Sequence, residues 1–137
     1  MNGYQLPTEV EWECVTRGGE HHLYSGSNNP DEVAWTSENS NEQARGVGQK
    51  KSNGFGLYDM SGNMEEWVWS SVELNENEEL NNYSNALTED SIDPSTVSFR
   101  LLRGGSRYLD RCISCRDSDF LFYRDCTLGF CLARTIK

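Results

Sequence analysis

The chain has 137 residues, including four Trp, six Tyr and five Phe, which is enough for one domain with an apolar core. Its formal net charge is −10, whereas nucleic acids and anionic membranes require a basic face, so neither is expected as a partner. No apolar run reaches the length of a membrane span and no signal-peptide pattern follows Met1. The odd number of cysteines, five, leaves the cellular compartment undefined.

The first predicted element is a helix at about residues 8–17. Thr8 and Glu11 form a capping-box pattern at its start, and Gly18–Gly19 ends it. An apolar stripe is predicted from Val10, Trp12 and Cys14. The following residues, 20–52, are polar and are interpreted as ordered loop.

Residues 53–67 combine three glycines with two well-spaced carboxylates. The spacing lets two carboxylates and two backbone carbonyls converge, and hard cations such as calcium prefer such an oxygen-only set. These four positions are Asp59, Gly62, Met64 and Glu66. The alternative interpretation is a tight loop whose carboxylates cap backbone N–H groups. The apolar side chains of the segment are predicted to anchor it in the core: Phe55, Leu57, Tyr58, Met60 and Trp67.

Three strands are predicted downstream, at residues 67–70, 98–103 and 128–134. Gly104, Gly105 and Ser106 end the second strand. Residues 72–93 contain no Lys or Arg and are rich in Asn and Glu, which is typical of a solvated excursion. One main N-terminal helix and short strands predict an α+β domain with a small twisted antiparallel sheet.

Four sequence blocks occur in a recognisable order, at residues 3–13, 53–67, 102–106 and 129–133. Together they resemble the formylglycine-generating enzyme (sulfatase-modifying factor) family. The resemblance implies a single C-type-lectin-like domain over 1–137, in a loop-rich variant that lacks the N-terminal portion of the family domain. Members include oxidases that convert a sulfatase cysteine to formylglycine, sulfoxide synthases and non-catalytic binding proteins.

The resemblance also implies calcium in the glycine-rich loop. In the family this loop holds the ion through two side chains and two carbonyls, which correspond to Asp59, Glu66, Gly62 and Met64. The second calcium site of the family is not placed here, because the chain is shorter from Trp35 to Asn53.

The catalytic chemistry of the family is not expected in this chain. Its oxidases use a cysteine pair where this sequence has Leu109 and Ser114, and neither residue is a soft copper ligand, so no copper is expected. Cys126 and Cys131 have the right separation but fall in the closing strand. The sulfoxide synthases require several iron-binding histidines, and this sequence has only His21 and His22. No catalytic residue is therefore predicted.

Residues 107–127 have an unusual composition. Every residue belongs to the set reachable by randomising the first two bases of a pyrimidine-ending Asn codon, and Trp, Met, Gln, Lys and Glu are absent. By ordinary composition that absence occurs about one time in a hundred. The segment resembles the variable region of a diversity-generating retroelement protein, a class that displays a randomised binding patch on a C-type-lectin fold.

The resemblance to variable proteins implies a ligand-binding segment at 107–127, carrying a protein or other surface ligand and displayed on a cell or phage surface. Its candidate contact residues are Arg107, Tyr108, Leu109, Asp110, Cys112, Ser114, Asp117, Asp119, Phe120, Phe122, Tyr123 and Asp125. Its apolar residues follow no steady period, so some aromatics are expected at the surface. The alternatives are a decayed family member with these aromatics in its core, or an active formylglycine-generating-type oxidase. The oligomeric state stays open.

Overall fold

The structure is a computed structural model that describes residues 3–73, 98–108, 112–120 and 122–134. The helices are α1 (Glu9–Arg17), α2 (Pro30–Val33) and α3 (Ser37–Ser40). The strands are β1 (Tyr4–Gln5), β2 (Glu65–Glu73), β3 (Ser98–Arg103), β4 (Asp117–Phe120), β5 (Leu128–Phe130) and β6 (Ala133–Arg134). Among these described residues, no helix has the length and apolar character needed to cross a bilayer. Most of the predicted excursion at 72–93 lies outside them.

Helix α1 begins and ends as its sequence predicts. The backbone N–H of Glu11 donates to the Thr8 hydroxyl at 3.3 Å, and the Glu11 carboxylate accepts from the Thr8 N–H at 2.8 Å. Gly18 ends the helix with a φ of 58°, in the left-handed region that favours glycine. The capping box is worth about 1 kcal/mol to the helix.

The apolar stripe predicted for this helix is wrong in two of its three residues. Trp12 is fully buried, but Val10 is 76% exposed and Cys14 is exposed as well. Residues three and four apart share a helix face, so Val15 and Thr16 accompany Trp12 inward. Val10 and Cys14 form the opposite, solvent-facing side.

The main sheet has the strand order β4-β3-β2-β5. Strand β3 pairs antiparallel with both β2 and β4, in keeping with the predicted antiparallel sheet, but β4 was not among the predicted strands, and β5 runs parallel to β2. The predicted closing strand at 128–134 is divided, because its second part, β6, pairs with β1 in a separate two-stranded ribbon. The two chain ends are thereby held together, with Tyr4 opposite Arg134.

The core lies between α1 and the sheet, where Trp12, Met60, Val68 and Leu101 pack together. Phe55 and Tyr58, predicted as core anchors, are 59% and 49% exposed.

The loop that carries these two aromatics is held by a polar side chain instead. The Asn53 amide donates to the carbonyls of Val15 and Thr16 and accepts from the N–H groups of Phe55 and Leu57. Because these hydrogen bonds fix the backbone, the loop keeps its conformation without burying the two aromatic rings.

Candidate functional site

A cleft of about 440 Å³ opens beside β4 and the turn that leads into β5. Five of its lining residues are predicted contact residues: Tyr108, Asp117, Asp119, Tyr123 and Asp125. The others were not predicted: Glu65, Leu102, Cys126, Thr127 and Leu128. Cys126 and Thr127 fall within the segment 107–127, whereas the pairing of β2 with β3 and β5 brings Glu65, Leu102 and Leu128 to it.

One wall of the cleft is set by the pairing of β4 with β3. Asp117 lies opposite Leu102, and Asp119 lies opposite Arg100. Side chains two residues apart on a strand project to the same face, so both carboxylates project from the same side of β4. Because the hydrogen-bond ladder between β3 and β4 is regular, the backbone pairing fixes the positions of both residues.

The opposite wall is a turn closed by Asp125. Its carboxylate accepts from the Thr127 N–H at 2.8 Å and the Thr127 hydroxyl at 2.7 Å, and these hydrogen bonds hold the pKa of Asp125 below its usual range. The Thr127 carbonyl accepts from the Glu65 N–H at 2.8 Å, which fastens the turn to β2. The negative charge of Asp125 also raises the pKa of the Tyr123 phenol.

The cleft is strongly acidic. Its described lining contains four carboxylic acids, Glu65, Asp117, Asp119 and Asp125, and no Lys or Arg. Walls of one charge sign concentrate the electrostatic potential and attract ligand groups of the opposite sign. The two tyrosines add flat apolar surface beside these carboxylates. The arrangement suits a ligand that combines positive charge with aromatic or aliphatic surface.

The predicted aromatics of the segment are exposed. The exposed fractions are 43% for Tyr108, 51% for Phe120, 92% for Phe122 and 46% for Tyr123. Phe120 also stacks on Phe99, with ring centroids 4.3 Å apart. Exposed aromatic rings mixed with charged groups are typical of binding surfaces.

Arg107 differs from the other predicted contacts because it is only 5% exposed. Its guanidinium donates to the carbonyls of Glu42, at 3.1 Å, and Cys126, at 2.9 Å, and lies over the Tyr108 ring at 4.7 Å. The side chain therefore connects the loop at 42 to the cleft wall and fixes Tyr108 from below, instead of facing a ligand.

Two predicted contacts face away from the cleft lining. Cys112 and Ser114 lie in a turn on the α1 side, where Arg17 donates to the Ser114 hydroxyl at 3.2 Å. Leu109 and Asp110 fall outside the described residues.

The base of this region depends on Arg103, which was not among the predicted site residues. Its side chain has no exposed surface, and it bonds to the Glu13 carboxylate at 2.6 Å and to the carbonyls of Ile113, at 2.8 Å, and Cys115, at 2.7 Å. It also lies 5.0 Å from the Trp12 ring centroid. Burial lowers the pKa of Arg103, but a guanidinium stays charged across the physiological range.

Three of the predicted calcium ligands, Asp59, Gly62 and Met64, lie in one tight loop, and Glu66 follows in β2. Asp59 and Gly62 both have positive φ, and a Cβ added at Gly62 would come 2.4 Å from the Trp35 carbonyl oxygen, so only glycine fits there. The Gly62 carbonyl accepts from the Met64 N–H at 2.8 Å. The Asp59 carboxylate accepts from the Gly48 N–H at 2.7 Å.

Glu66, the predicted ligand on β2, is partly buried. Burial raises the pKa of the Glu66 carboxyl, and the negative charge of Asp59 raises it further. Trp12 donates to one oxygen of Glu66 and the Gly48 N–H donates to one oxygen of Asp59, and each carboxylate and carbonyl oxygen carries further lone pairs. No group of three His, Cys, Asp or Glu side chains capable of holding a metal occurs among the described residues, so a cation here needs the carbonyl oxygens.

One protein family matches almost the whole chain. The family described as "Sulfatase-modifying factor enzyme 1-like domain" matches residues 1–136. The chain is 47% identical over 88 residues to chaperone protein LppX of Paenibacillus barcinonensis, covering 50% of this chain and 31% of LppX. It is 31% identical over 140 residues to the formylglycine-generating enzyme of Streptomyces coelicolor, covering 89% of this chain and 40% of that enzyme.

The fold also matches a solved structure. Treponema denticola variable protein 1 aligns with a TM-score of 0.76 and 32% identity, covering 97% of this chain and 48% of that one. The chain therefore spans less than half the length of each of these three proteins.

Proposed function

Because the chain belongs to the sulfatase-modifying factor enzyme 1-like family and has its C-type-lectin-like fold, we propose that it binds ligands without catalysis through residues 107–127. The observation that carries this proposal is the acidic cleft bordered by exposed aromatic side chains. The support beneath is fixed by regular strand pairing and by buried arginines, so little ordering is needed when a ligand binds.

Sequence variation in this segment is the second part of the proposal. The restricted residue set at 107–127 supports an origin by targeted randomisation, and so does the similarity to a protein named as a variable protein. In the described part of the segment, most side chains project from a turn or an edge strand. Such positions accept substitution without loss of core packing.

The chemistry of the cleft favours a protein or peptide ligand that presents Lys or Arg beside apolar groups. Carboxylates on both walls pair with such cations, and Tyr108 and Tyr123 offer ring faces for cation–π contact. Aromatic anchors of this kind dominate the affinity of protein interfaces, while charges contribute selectivity.

The proposal is tested by selecting peptides from a random phage library on the immobilised full chain. Enriched peptides should carry basic and aromatic residues. Tyr123→Ser and Asp119→Asn should each weaken their binding by at least about tenfold, which is about 1.4 kcal/mol. Tyr58→Ser is the matched control, because Tyr58 is equally exposed but lies outside the cleft. Equal effects of cleft and control variants, or no enrichment, would contradict the proposal.

We also propose that calcium stabilises the support at Asp59, Gly62, Met64 and Glu66. Its contribution would be to neutralise the carboxylate of Glu66, whose pKa is raised by burial and by the nearby charge of Asp59. The cation would then act on stability, since the carboxylate of Glu66 accepts a hydrogen bond from Trp12 of α1.

An oxidase function is the alternative, favoured by the 31% identity to a formylglycine-generating enzyme. Against it, Ser114 occupies a position where the oxidases of the family have a cysteine, and its hydroxyl accepts from Arg17. A hydroxyl does not replace a thiolate as a soft copper ligand.

A further inference from the structure

Two cysteine thiols lie in contact on the side of residues 107–127 that faces α1. The Sγ atoms of Cys112 and Cys115 are 2.8 Å apart. The backbone between them forms a turn, in which the Cys115 N–H donates to the Cys112 carbonyl at 2.9 Å. All five cysteines of the chain are thiols in the structure, and the other three are not seen in such a pair.

The turn that holds this pair is fixed from below. Ile113 is only 2% exposed, and its N–H donates to the Leu23 carbonyl at 2.9 Å. The buried Arg103 guanidinium donates to the carbonyls of Ile113 and Cys115. Because the backbone is held on both sides of the turn, the two sulfurs are kept together by the fold.

The distance between the sulfurs favours a covalent bond. A disulfide has an S–S length of about 2.05 Å, so the sulfurs need to approach by less than about 1 Å from their 2.8 Å separation. The hydrogen bond from Cys115 lowers the pKa of the Cys112 thiol, which increases its thiolate fraction. Both residues are partly exposed, so small reagents reach them.

We propose that Cys112 and Cys115 form a redox-active dithiol that exchanges with small-molecule disulfides. The Cys112 thiolate attacks one sulfur of the reagent, forms a mixed disulfide and releases one thiol. The Cys115 sulfur then loses its proton, attacks the Cys112 sulfur and displaces the second thiol. Two protein thiols are thereby oxidised to one disulfide, and the reagent is reduced to two thiols.

The remaining cysteines have different surroundings. Cys14 is on the exposed face of α1, Cys126 accepts a hydrogen bond from Arg107, and burial raises the pKa of the Cys131 thiol. The two cysteines are less suited to binding a metal, since no group of three ligating side chains occurs in the part of the chain that the structure describes.

The test exposes the reduced full chain to oxidised glutathione and counts the remaining thiols by alkylation and mass spectrometry. The expected result is an intramolecular loss of two thiols, mapped to the peptide containing Cys112 and Cys115, with the other three still alkylated. Cys115→Ser should instead stop at a glutathione adduct on Cys112, because the resolving thiol is missing. Cys14→Ser is the control, because Cys14 lies on the exposed face of α1 outside the cleft, and it should lose the same two thiols as the original chain.

A second probe covers the case in which Cys115→Ser folds poorly. Phenylarsine oxide bridges closely spaced dithiols, so one equivalent should bind the unmodified chain and protect Cys112 and Cys115 from alkylation. The proposal is overturned by glutathione adducts spread over several cysteines without an internal bond. Equal arsenical protection of all five cysteines would overturn it as well.

Discussion

The indole Nε1 of Trp12 donates a hydrogen bond of 2.6 Å to Oε2 of Glu66, joining the centre of α1 to β2 across 54 positions of sequence. Trp12 has no exposed surface, and burial raises the pKa of the Glu66 carboxyl despite this hydrogen bond. The nearby charge of Asp59 raises it further. Trp12 is therefore hydrogen-bonded to a carboxyl group whose ionisation is unfavourable in the folded chain.

The raised pKa of Glu66 predicts that the free energy of unfolding falls as pH rises. A carboxyl with a raised pKa in the folded state binds more protons there than in the unfolded chain, so the free energy of unfolding decreases as pH rises from about 4.5 through the folded pKa. Without calcium, Glu66→Gln should flatten this decrease and raise the melting temperature at pH 7. Thermal melts at several pH values check this, with the exposed Glu38→Gln as control. A lower melting temperature for Glu66→Gln at pH 7 would contradict it.

With calcium present, Glu66→Gln should lower the melting temperature relative to the original chain instead of raising it. A cation bound only by the folded state stabilises it by about 2.7 kcal/mol at a concentration one hundred times its Kd. We expect calcium to raise the melting temperature of the original chain, a chelator to lower it again, and Glu66→Gln to abolish the response. An unchanged melting temperature with calcium and with chelator would rule out the site.

The exposed aromatics should contribute little to stability. We expect Phe122→Ser to change the free energy of unfolding by less than about 0.5 kcal/mol, since its side chain is 92% exposed. Tyr108→Ser and Tyr123→Ser should stay well below the roughly 3–5 kcal/mol of a truncated core aromatic. Phe120→Ser should cost more than Phe122→Ser, because it loses the stacking on Phe99. Denaturant unfolding measures these values.

A buried control gives the scale for this series. Leu101→Ala should cost about 2–5 kcal/mol, because Leu101 is 3% exposed in the core. If most of the four aromatic variants match Leu101→Ala, the aromatics belong to the core and the decayed-relative interpretation is correct.

Arg103→Met should be strongly destabilising. The substitution removes the donors to the Ile113 and Cys115 carbonyls and leaves these acceptors without their partner, at about 1–3 kcal/mol each. Arg17→Met is the matched control, because Arg17 also pairs with Glu13 but is partly exposed, and its ion pair is worth less than about 1 kcal/mol. Equal losses for the two variants in denaturant unfolding would contradict the structural role of Arg103.

No formylglycine-generating activity is expected. A sulfatase-motif peptide incubated with the chain, copper and oxygen should keep its cysteine, as measured by mass spectrometry, because Ser114 supplies no thiolate at the family position. Turnover that disappears in Cys126→Ser or Cys131→Ser would overturn this prediction. Turnover that disappears only in Cys112→Ser would instead assign the chemistry to the Cys112–Cys115 pair.

The parts of the fold that depend on local chemistry were predictable. Thr8, Glu11 and Gly18 specify the ends of α1 through short-range hydrogen bonds and a left-handed turn, and Ser98–Arg103 forms the predicted strand. The inward face of α1 could not be predicted in the same way. Trp12 is buried and Val10 is exposed because the sheet packs against only one side of the helix.

The candidate site was predicted in outline. Composition marked 107–127 and its exposed aromatics, but it did not distinguish Arg107, which is buried, from Asp119, which lines the cleft. Glu65 and Leu128 joined the cleft only because β5 pairs with β2, a long-range parallel contact without a local sequence signal. The contact between Cys112 and Cys115 likewise depends on the turn that Arg103 fixes from another strand.

The strand order has one more consequence for the segment between β3 and β5. Arg103 and Gly129 are paired with the same residue, Glu66, from opposite sides of β2. The two ends of the intervening chain are therefore held about 10 Å apart, two strand spacings, whatever sequence joins them. Loop-closure entropy grows only logarithmically, by about 0.6 kcal/mol for each doubling of length. Insertions in this segment outside β4 should thus weaken the fold far less than a comparable insertion inside a strand.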